Sequence, residues 1–382
     1  MDSELKPIAE KVLAQQRLSP EDGMTLLGSR DIWTLGELAN HVRQRLHGKL
    51  AYYNVNQHIN YSNVCALSCK FCAFYRKAGQ EGAYEFSIDQ IVEQANNAAE
   101  AGATELHIVG GLHPNLPFSY YTDMLSGIRQ AQPKLHIKAF TAVEIVHLAR
   151  IDKRGRDIEG VLADLKEAGL GSLPGGGAEV FDDRVHDEAF KGKIRSDMWI
   201  QVHQTSHRLG LMTNATMLYG HIESLEDRVH HFCLLREAQD DAIDQQHPAR
   251  FQTIIPLPFF PDDSALQHLP GPTGLDNLKM LAVSRLMLDN FPHVKAFWPM
   301  QTLEVAQTSL EFGADDIDGT VVWYDITKLG GADTHQETSV QDLRKAICEA
   351  GYEPIERDTL YRPIERSGPD WRLADQLMSS AS

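Results

Sequence analysis

The chain has 382 residues, a 42% share of hydrophobic residues and a formal net charge of −17. That length accommodates one large barrel or two ordinary domains, with apolar residues enough for a real core. So negative a balance repels nucleic-acid phosphates and anionic membranes, so no nucleic acid and no membrane is expected as a partner, and an anionic substrate would need a local cationic pocket. No apolar run of about 18 residues suggests a membrane span, and residues 1–12 lack an apolar signal core. A soluble, cytoplasmic protein is expected.

Leu5, Ile8, Val12 and Leu13 recur at helical spacing. So do Leu35, Leu38, Val42 and Leu46, with Thr34 and Glu37 spaced as a capping box. Residues 1–50 are therefore expected to form an N-terminal helical extension. A strand over 60–64 runs into a loop rich in cysteine. Ser87 and Gln90 cap a helix with Ile91, Val92, Ala95 and Ala99 on one face, ended by Gly102. Strands follow at 105–109, stopped by Gly110-Gly111, and at 135–140, with a helix over 120–131 between them. A stripe of Ile158, Val161, Leu162 and Leu165, closed at Gly169, leads to a strand over 171–173 that ends in Pro174 and three glycines.

A helix over 199–209 and a strand over 211–218 come next. Ser224 and Asp227 cap a helix, and the polar stretch 240–249 reads as a variable loop. A strand over 251–257, a long helix opened by Thr273 and Asp276, a strand over 294–298, a helix over 303–312 and a strand over 317–323 complete the series. Alternation of this kind implies α/β architecture with a parallel sheet, and about eight such units imply a closed (β/α)8 TIM-type barrel, here over 51–335. Residues 336–382 are expected to add a helix over 340–350 and an irregular tail packed on the barrel.

Five cysteines occur, three of them within eight residues: Cys65, Cys69 and Cys72. An odd count without a signal peptide argues against a disulfide framework and for metal binding. Cys233 shares a helix face with Val229 and Phe232, and Cys348 lies in the last helix; both are expected in the core. A compact loop can aim three thiolates at one cuboidal cluster. A [4Fe-4S] cube ordinarily takes four cysteines, so three leave one iron open to a small molecule. Because the loop follows the first strand, it should lie at the C-terminal face of the barrel, where barrel active sites sit. The alternative is a zinc site completed by His58 or a more distant histidine.

The 65–72 spacing, with an aromatic residue before the last cysteine, resembles the radical S-adenosylmethionine (SAM) superfamily. Asn60-Tyr-Ser-Asn-Val-Cys65, Gly110-Gly-Leu-His-Pro114, Leu173-Pro-Gly-Gly-Gly-Ala-Glu179 and Ala215-Thr-Met-Leu-Tyr-Gly-His221 resemble one branch of it. That branch holds the menaquinone enzymes of the futalosine pathway and the deazaflavin synthases, and the resemblance extends over 54–361. The segments His136–Ile145, Trp298–Gln301 and Glu356–Tyr361 look like the aminofutalosine synthase family rather than the dehypoxanthine futalosine cyclase. The resemblance implies a radical SAM-type barrel, a [4Fe-4S] cluster on the three cysteines, SAM consumed as co-substrate, and a flavodoxin- or ferredoxin-type electron donor. It also implies a small dicarboxylate substrate. The 5′-deoxyadenosyl radical would add to the vinyl carbon of the enolpyruvyl ether of 3-hydroxybenzoate, and rearrangement with loss of a carboxyl group would give aminodeoxyfutalosine.

The same resemblance places Gly110 and Gly111 against the methionine amino group of SAM, where a tight strand-to-helix turn is the plainer account. It places Phe71 near the adenine, with Tyr75 in the same neighbourhood, although Phe71 could equally pack the loop. Glu144 is a carboxylate after a strand: it either binds SAM or moves a proton, or it caps the following helix. His113 either orients a substrate carboxylate or moves a proton, or bonds to loop backbone, and His221 carries the same pair of readings. Lys138 alternates with Ile137 and Ala139; it offers a dicarboxylate a cation inside the barrel, or it faces solvent. Gly176, in the run 175–177, either cradles a carboxylate by its amides or simply turns the chain.

Overall fold

The computed structural model describes residues 2–321 and 337–374. It opens with three helices, α1 (Lys6–Leu13), α2 (Pro20–Gly28) and α3 (Ile32–His47). Leu5, Ile8, Val12, Leu35, Leu38 and Val42 turn inward, whereas Leu13 and Leu46 are exposed. Thr34 and Glu37 do not form the expected capping box. Asp31 is the N-cap, and its side chain accepts from the Thr34 amide at 3.1 Å.

Next come β1 (Leu50–Asn54) and, after Val55, β2 (Asn56–Ile59). The first barrel strand therefore ends before the expected 60–64. There Asn60 donates to the Val109 carbonyl at 3.0 Å and Asn63 to that of Gly82 at 2.8 Å. Such side-chain bonds to backbone break the ladder and start the cysteine loop.

The barrel proper alternates strands with helices: α4 (Ile88–Glu100), β3 (Glu105–Ile108), α5 (Phe118–Ala131), β4 (His136–Ala139), α6 (Ala142–Ile151), α7 (Ile158–Ala168) and β5 (Ser172–Leu173). Then follow α8 (Asp183–Ala189), α9 (Ser196–Arg208), β6 (Met212–Tyr219), α10 (Leu225–Asp244), β7 (Phe251–Pro258), α11 (Gly274–Met287) and β8 (His293–Val294). Strands β2 to β8 pair in sequence order in one parallel sheet of seven. Capping boxes stand where expected at Ser87, Ser224 and Thr273, each such cap worth about 1 kcal/mol. The polar stretch at 240–249 is no long loop, because α10 runs through Asp244.

Beyond β8 lie α12 (Trp298–Gln301), α13 (Leu303–Ser309), β9 (Asp316–Gly319), α14 (Val340–Glu349), β10 (Glu353–Glu356), β11 (Ile364–Ser367) and β12 (Asp370–Leu373). The strand expected at 294–298 is short because Trp298 and Pro299 already open α12. Strand β9 takes the eighth place in the ring. It meets β8's end through a parallel bridge, Lys295 to Asp316, and runs parallel to β1. At its far end Thr320 Oγ1 accepts from the Asn56 amide at 3.1 Å and donates to the Asn56 carbonyl at 2.9 Å, which carries the ring round to β2. The fold is thus an α/β barrel of TIM type. The last part of the expected strand at 317–323 and the expected barrel boundary at 335 lie outside the described residues.

The C-terminal segment is not an irregular tail. Strand β10 runs parallel to β1, with Leu50 facing Glu353 and Tyr53 facing Glu356, and β11 and β12 form an antiparallel hairpin. Residues 357–361 then lie against the barrel: the Arg357 guanidinium is fully buried on Asp316, and the Tyr361 ring stacks on His293 with centroids 3.5 Å apart.

Candidate active site

The cysteine loop leaves β2 and is fixed from three sides. The Cys65 amide donates to Arg76 O at 2.9 Å and the Ala66 amide to Leu112 O at 2.9 Å, which ties the loop to the segment after β3. The Lys70 amide donates to Ala189 O, and Lys70 O accepts from the Ala265 amide, both at 2.8 Å. Lys77 Nζ donates to the carbonyls of Cys65, Ala66 and Leu67 at 3.1, 3.1 and 2.7 Å. All three thiols are unbridged and border one cavity of about 300 Å³. Burial pushes the Cys69 thiol up to about 11 and raises that of Cys72, so thiolates here need a bound cation.

The three sulfurs are not gathered within 4.8 Å of one another, a spacing met among the described residues by His47, His293 and Asp315. A single tetrahedral zinc, with Zn–S bonds of about 2.3 Å, would draw thiolates closer than that. Three spread thiols without a fourth suit one face of a cuboidal cluster instead. His58, the expected fourth zinc ligand, packs against His107 with ring centroids 4.4 Å apart. Cys233 is half-buried at a helix surface, and Cys348 is exposed rather than in the core.

The cavity is bordered too by Gly110, Gly111, Glu144, Lys138 and the run 175–177, with Phe71 and Tyr75 at the cysteine loop. A Cβ on Gly110 would stand 2.6 Å from the Tyr61 ring, and one on Gly111 would stand 2.3 Å from the Val64 carbonyl. The two glycines let the segment that carries Cys65 pass close by. Both amides are committed, that of Gly110 to Glu144 Oε1 at 3.1 Å and that of Gly111 to Ser62 O at 2.8 Å. Any ligand contact from this pair therefore falls to its carbonyl oxygens. A Cβ on Gly175 would meet Ala215 at 2.6 Å, and one on Gly177, whose φ is +87°, would meet Val143 at 2.3 Å. Gly176 sits between them, its carbonyl accepting from the Trp199 indole at 3.3 Å.

Glu144 is the third residue of α6 and closes a capping box with Thr141. Its carboxylate accepts from the Thr141 amide at 2.7 Å, the Thr141 hydroxyl at 2.8 Å, the Tyr61 hydroxyl at 2.8 Å and the Gly110 amide at 3.1 Å. Burial still raises its carboxyl above the ordinary value. The helix-capping account is realised, and through it Glu144 couples α6 to the Gly110 loop.

Two expected residues are not brought to the cavity. His113 Nδ1 accepts from the amides of Asn115 and Leu116 at 3.2 and 3.1 Å, and its Nε2 lies 2.9 Å from Glu85. It is a buried loop brace. His221 Nε2 bonds the Leu218 carbonyl at 3.1 Å, and its Nδ1 lies 3.3 Å from Glu223, behind β6. Neither borders the cavity, because each ring turns back to satisfy its own loop.

Lys138 does point inward. It is buried and paired with Glu105 at 2.5 Å. The sequence reading missed two further lysines there. Lys193 pairs with Glu179 and sits over the Phe71 ring at 4.9 Å from its centroid, beside Cys69 and Cys72. Lys295 pairs with Asp318 at 3.0 Å. Period-2 alternation along the strand expected at 294–298 could have flagged Lys295; Lys193 follows a short helix and gave no signal.

A thiol triad at the mouth of a parallel α/β barrel defines a class, and comparison with known proteins agrees. Residues 59–235 match the radical SAM superfamily, and residues 249–368 match the CofH/MqnC C-terminal region. The fold is shared with methylornithine synthase (TM-score 0.69, 17% identity, 91% of this chain and 96% of that one). It is shared too with the FeFe-hydrogenase maturase of Carboxydothermus hydrogenoformans (TM-score 0.71, 16% identity, 94% and 80%). This chain belongs to the radical SAM superfamily and is a radical SAM enzyme; the family uses a [4Fe-4S] cluster and SAM, and Cys65, Cys69 and Cys72 stand at its cysteine motif.

Among characterised relatives it is 43% identical to the aminodeoxyfutalosine synthase of Thermus thermophilus, over 95% of this chain and 96% of that one. Identity is 42% to the synthase of the same name from Streptomyces coelicolor, over 97% of each. It is 36% to a 5-amino-6-(D-ribitylamino)uracil–L-tyrosine 4-hydroxyphenyl transferase of Archaeoglobus fulgidus, over 86% and 93%. None of the described helices is long and apolar enough to cross a membrane.

Proposed function

We propose that this chain is an aminodeoxyfutalosine synthase of menaquinone biosynthesis. It joins the 5′-deoxyadenosyl group of SAM to the vinyl carbon of the enolpyruvyl ether of 3-hydroxybenzoate. Rearrangement and decarboxylation then give 6-amino-6-deoxyfutalosine. The observation that carries this reading is the 42–43% identity, over nearly whole chains, to two synthases of that name, against 36% to the 4-hydroxyphenyl transferase.

In this reading Cys65, Cys69 and Cys72 hold the cluster, which when bound supplies the electron that cleaves SAM, drawn from a flavodoxin- or ferredoxin-type donor. The other residues position and enclose. Gly110 and Gly111 offer carbonyl oxygens to the SAM ammonium, and Phe71 and Tyr75 flank its adenine. Glu144 holds the Gly110 loop in register and leaves direct contact with SAM to others. Apolar walls at Val109, Leu218, Leu257 and Phe297 keep water from the reacting carbon.

The test is anaerobic turnover with SAM, a reductant and the enolpyruvyl ether, read by mass spectrometry. Aminodeoxyfutalosine is the expected product. No adduct with that ether, together with turnover of dehypoxanthine futalosine or of tyrosine with the ribitylaminouracil, would assign the chain to a sister activity.

A further inference from the structure

The barrel beneath the cysteine loop carries charged side chains as well as aliphatic ones. Lys138, the third residue of β4, lies opposite His107 of β3 and Ser172 of β5 in the ladder. That level is deeper than Gly110 and Pro174, which follow the strand ends. Lys295 follows β8 and lies opposite Asp316 of β9. Both lysines border the cavity, and both are buried, with side chains 4% and 3% exposed.

Each ammonium has three N–H donors. Among the described residues Lys138 spends one on Glu105 and Lys295 one on Asp318. Glu105 is fully buried behind Lys138 and does not border the cavity, so the β4 side presents a cation. The two ammonium groups are near enough to repel each other, and burial with this repulsion pulls Lys138 below its ordinary value. An incoming anion would relieve both effects. Asp318, which also borders the cavity, has a left-handed φ of 66° and accepts from Lys295 at 3.0 Å, so Lys295 keeps two donors for a ligand. Above the lysines the walls are apolar, with Val109, Ile255, Leu257, Phe297 and Met300. A floor of two lysine ion pairs, each ammonium with donors to spare, under apolar walls matches an aromatic acid standing on its carboxylate.

We propose that Lys138 and Lys295 together form the seat for one carboxylate of the substrate, a flat aromatic dicarboxylic acid, and so aim its other end at the cysteine loop. Lys138 and Lys295 are positioning residues here. The substrate class rests on the function proposed above; the seat itself rests on the geometry.

Removing one lysine alone strands a buried carboxylate and risks unfolding. The variants are therefore the neutral pairs Lys138→Met/Glu105→Gln and Lys295→Met/Asp318→Asn, with Lys295→Arg as the conservative control. The probe is 3-(carboxymethoxy)benzoate, which lacks the vinyl group, titrated calorimetrically into anaerobically reconstituted protein with SAM present; its dimethyl ester is the uncharged comparison. The expected result is binding weakened at least about tenfold in each pair variant, the loss of one charge-assisted hydrogen bond. SAM affinity should stay unchanged, and Lys295→Arg should retain binding. Undiminished binding in either folded pair variant overturns the proposal, as does wild-type protein that takes the diester as tightly as the diacid. Wild-type protein that binds the diacid but makes no aminodeoxyfutalosine would refute the function and leave the seat standing.

Discussion

Gly111 shows how a single missing side chain serves the site. Its absent Cβ leaves room for the Val64 carbonyl, one residue before Cys65. Gly111→Ala must push that segment aside, so it should lower the iron bound after anaerobic reconstitution. Gly274→Ala is the control, since nothing lies within 4 Å of its Cβ position and its φ is ordinary. Full iron content in Gly111→Ala, measured per folded chain, would contradict this account of the glycine pair. The cysteine triad was legible in the sequence because its spacing alone brings the three together; the glycine pair was legible as a stop after a strand, and its place at the site came from the family resemblance. His113 and His221 were misleading for a physical reason: a histidine near a site satisfies its ring on whatever backbone is closest, and both rings turned to their own loops. For Lys138 the sequence left an inward and a solvent-facing reading open; its partner Glu105 sits 33 residues away and only the register of β3 against β4 joins them.

At the level of elements, helices were read better than strands. Capping boxes and apolar stripes located α4, α7, α10 and α11, since those signals are local. The strand before Cys65 was displaced because Tyr61 and Val64 are strand formers, yet the asparagines at 60 and 63 bond sideways into neighbouring loops. Helix α6 was anticipated only through Glu144, one reading of which was a cap on a following helix; its N-cap partner Thr141 stands three residues earlier. Strand β10 was read as an irregular tail because its ladder partner, β1, lies some 300 positions earlier; no local pattern reports a pairing of such contact distance. Segment 298–301 forms α12 and borders the cavity at Met300, whereas segment 356–361 carries Arg357, buried on Asp316.

For the whole molecule, the interior is unusually rich in neutral histidine. Burial holds His47, His58 and His136 at about 4, and His207 and His231 at about 3. In the unfolded chain such rings titrate near 6.5. As pH falls below 6.5 the unfolded state takes up protons that the fold refuses, so stability is lost progressively down to about pH 4, by about 1.4 kcal/mol per pH unit for each ring. The melting temperature should thus fall by several degrees between pH 7 and pH 5, and a flat profile over that range would count against neutral buried rings. The same polar interior carries the floor of paired lysines, while the cysteine loop borders the cavity above it. A cluster on this loop, with one iron left open for SAM, is the assignment on which the chemistry rests. Its most direct test is anaerobic reconstitution followed by metal analysis and SAM cleavage. Roughly four irons per chain, a brown protein whose reduced cluster signal shifts on adding SAM, and release of 5′-deoxyadenosine are predicted, all lost in Cys69→Ala. A colourless protein with one zinc and intact SAM would contradict it.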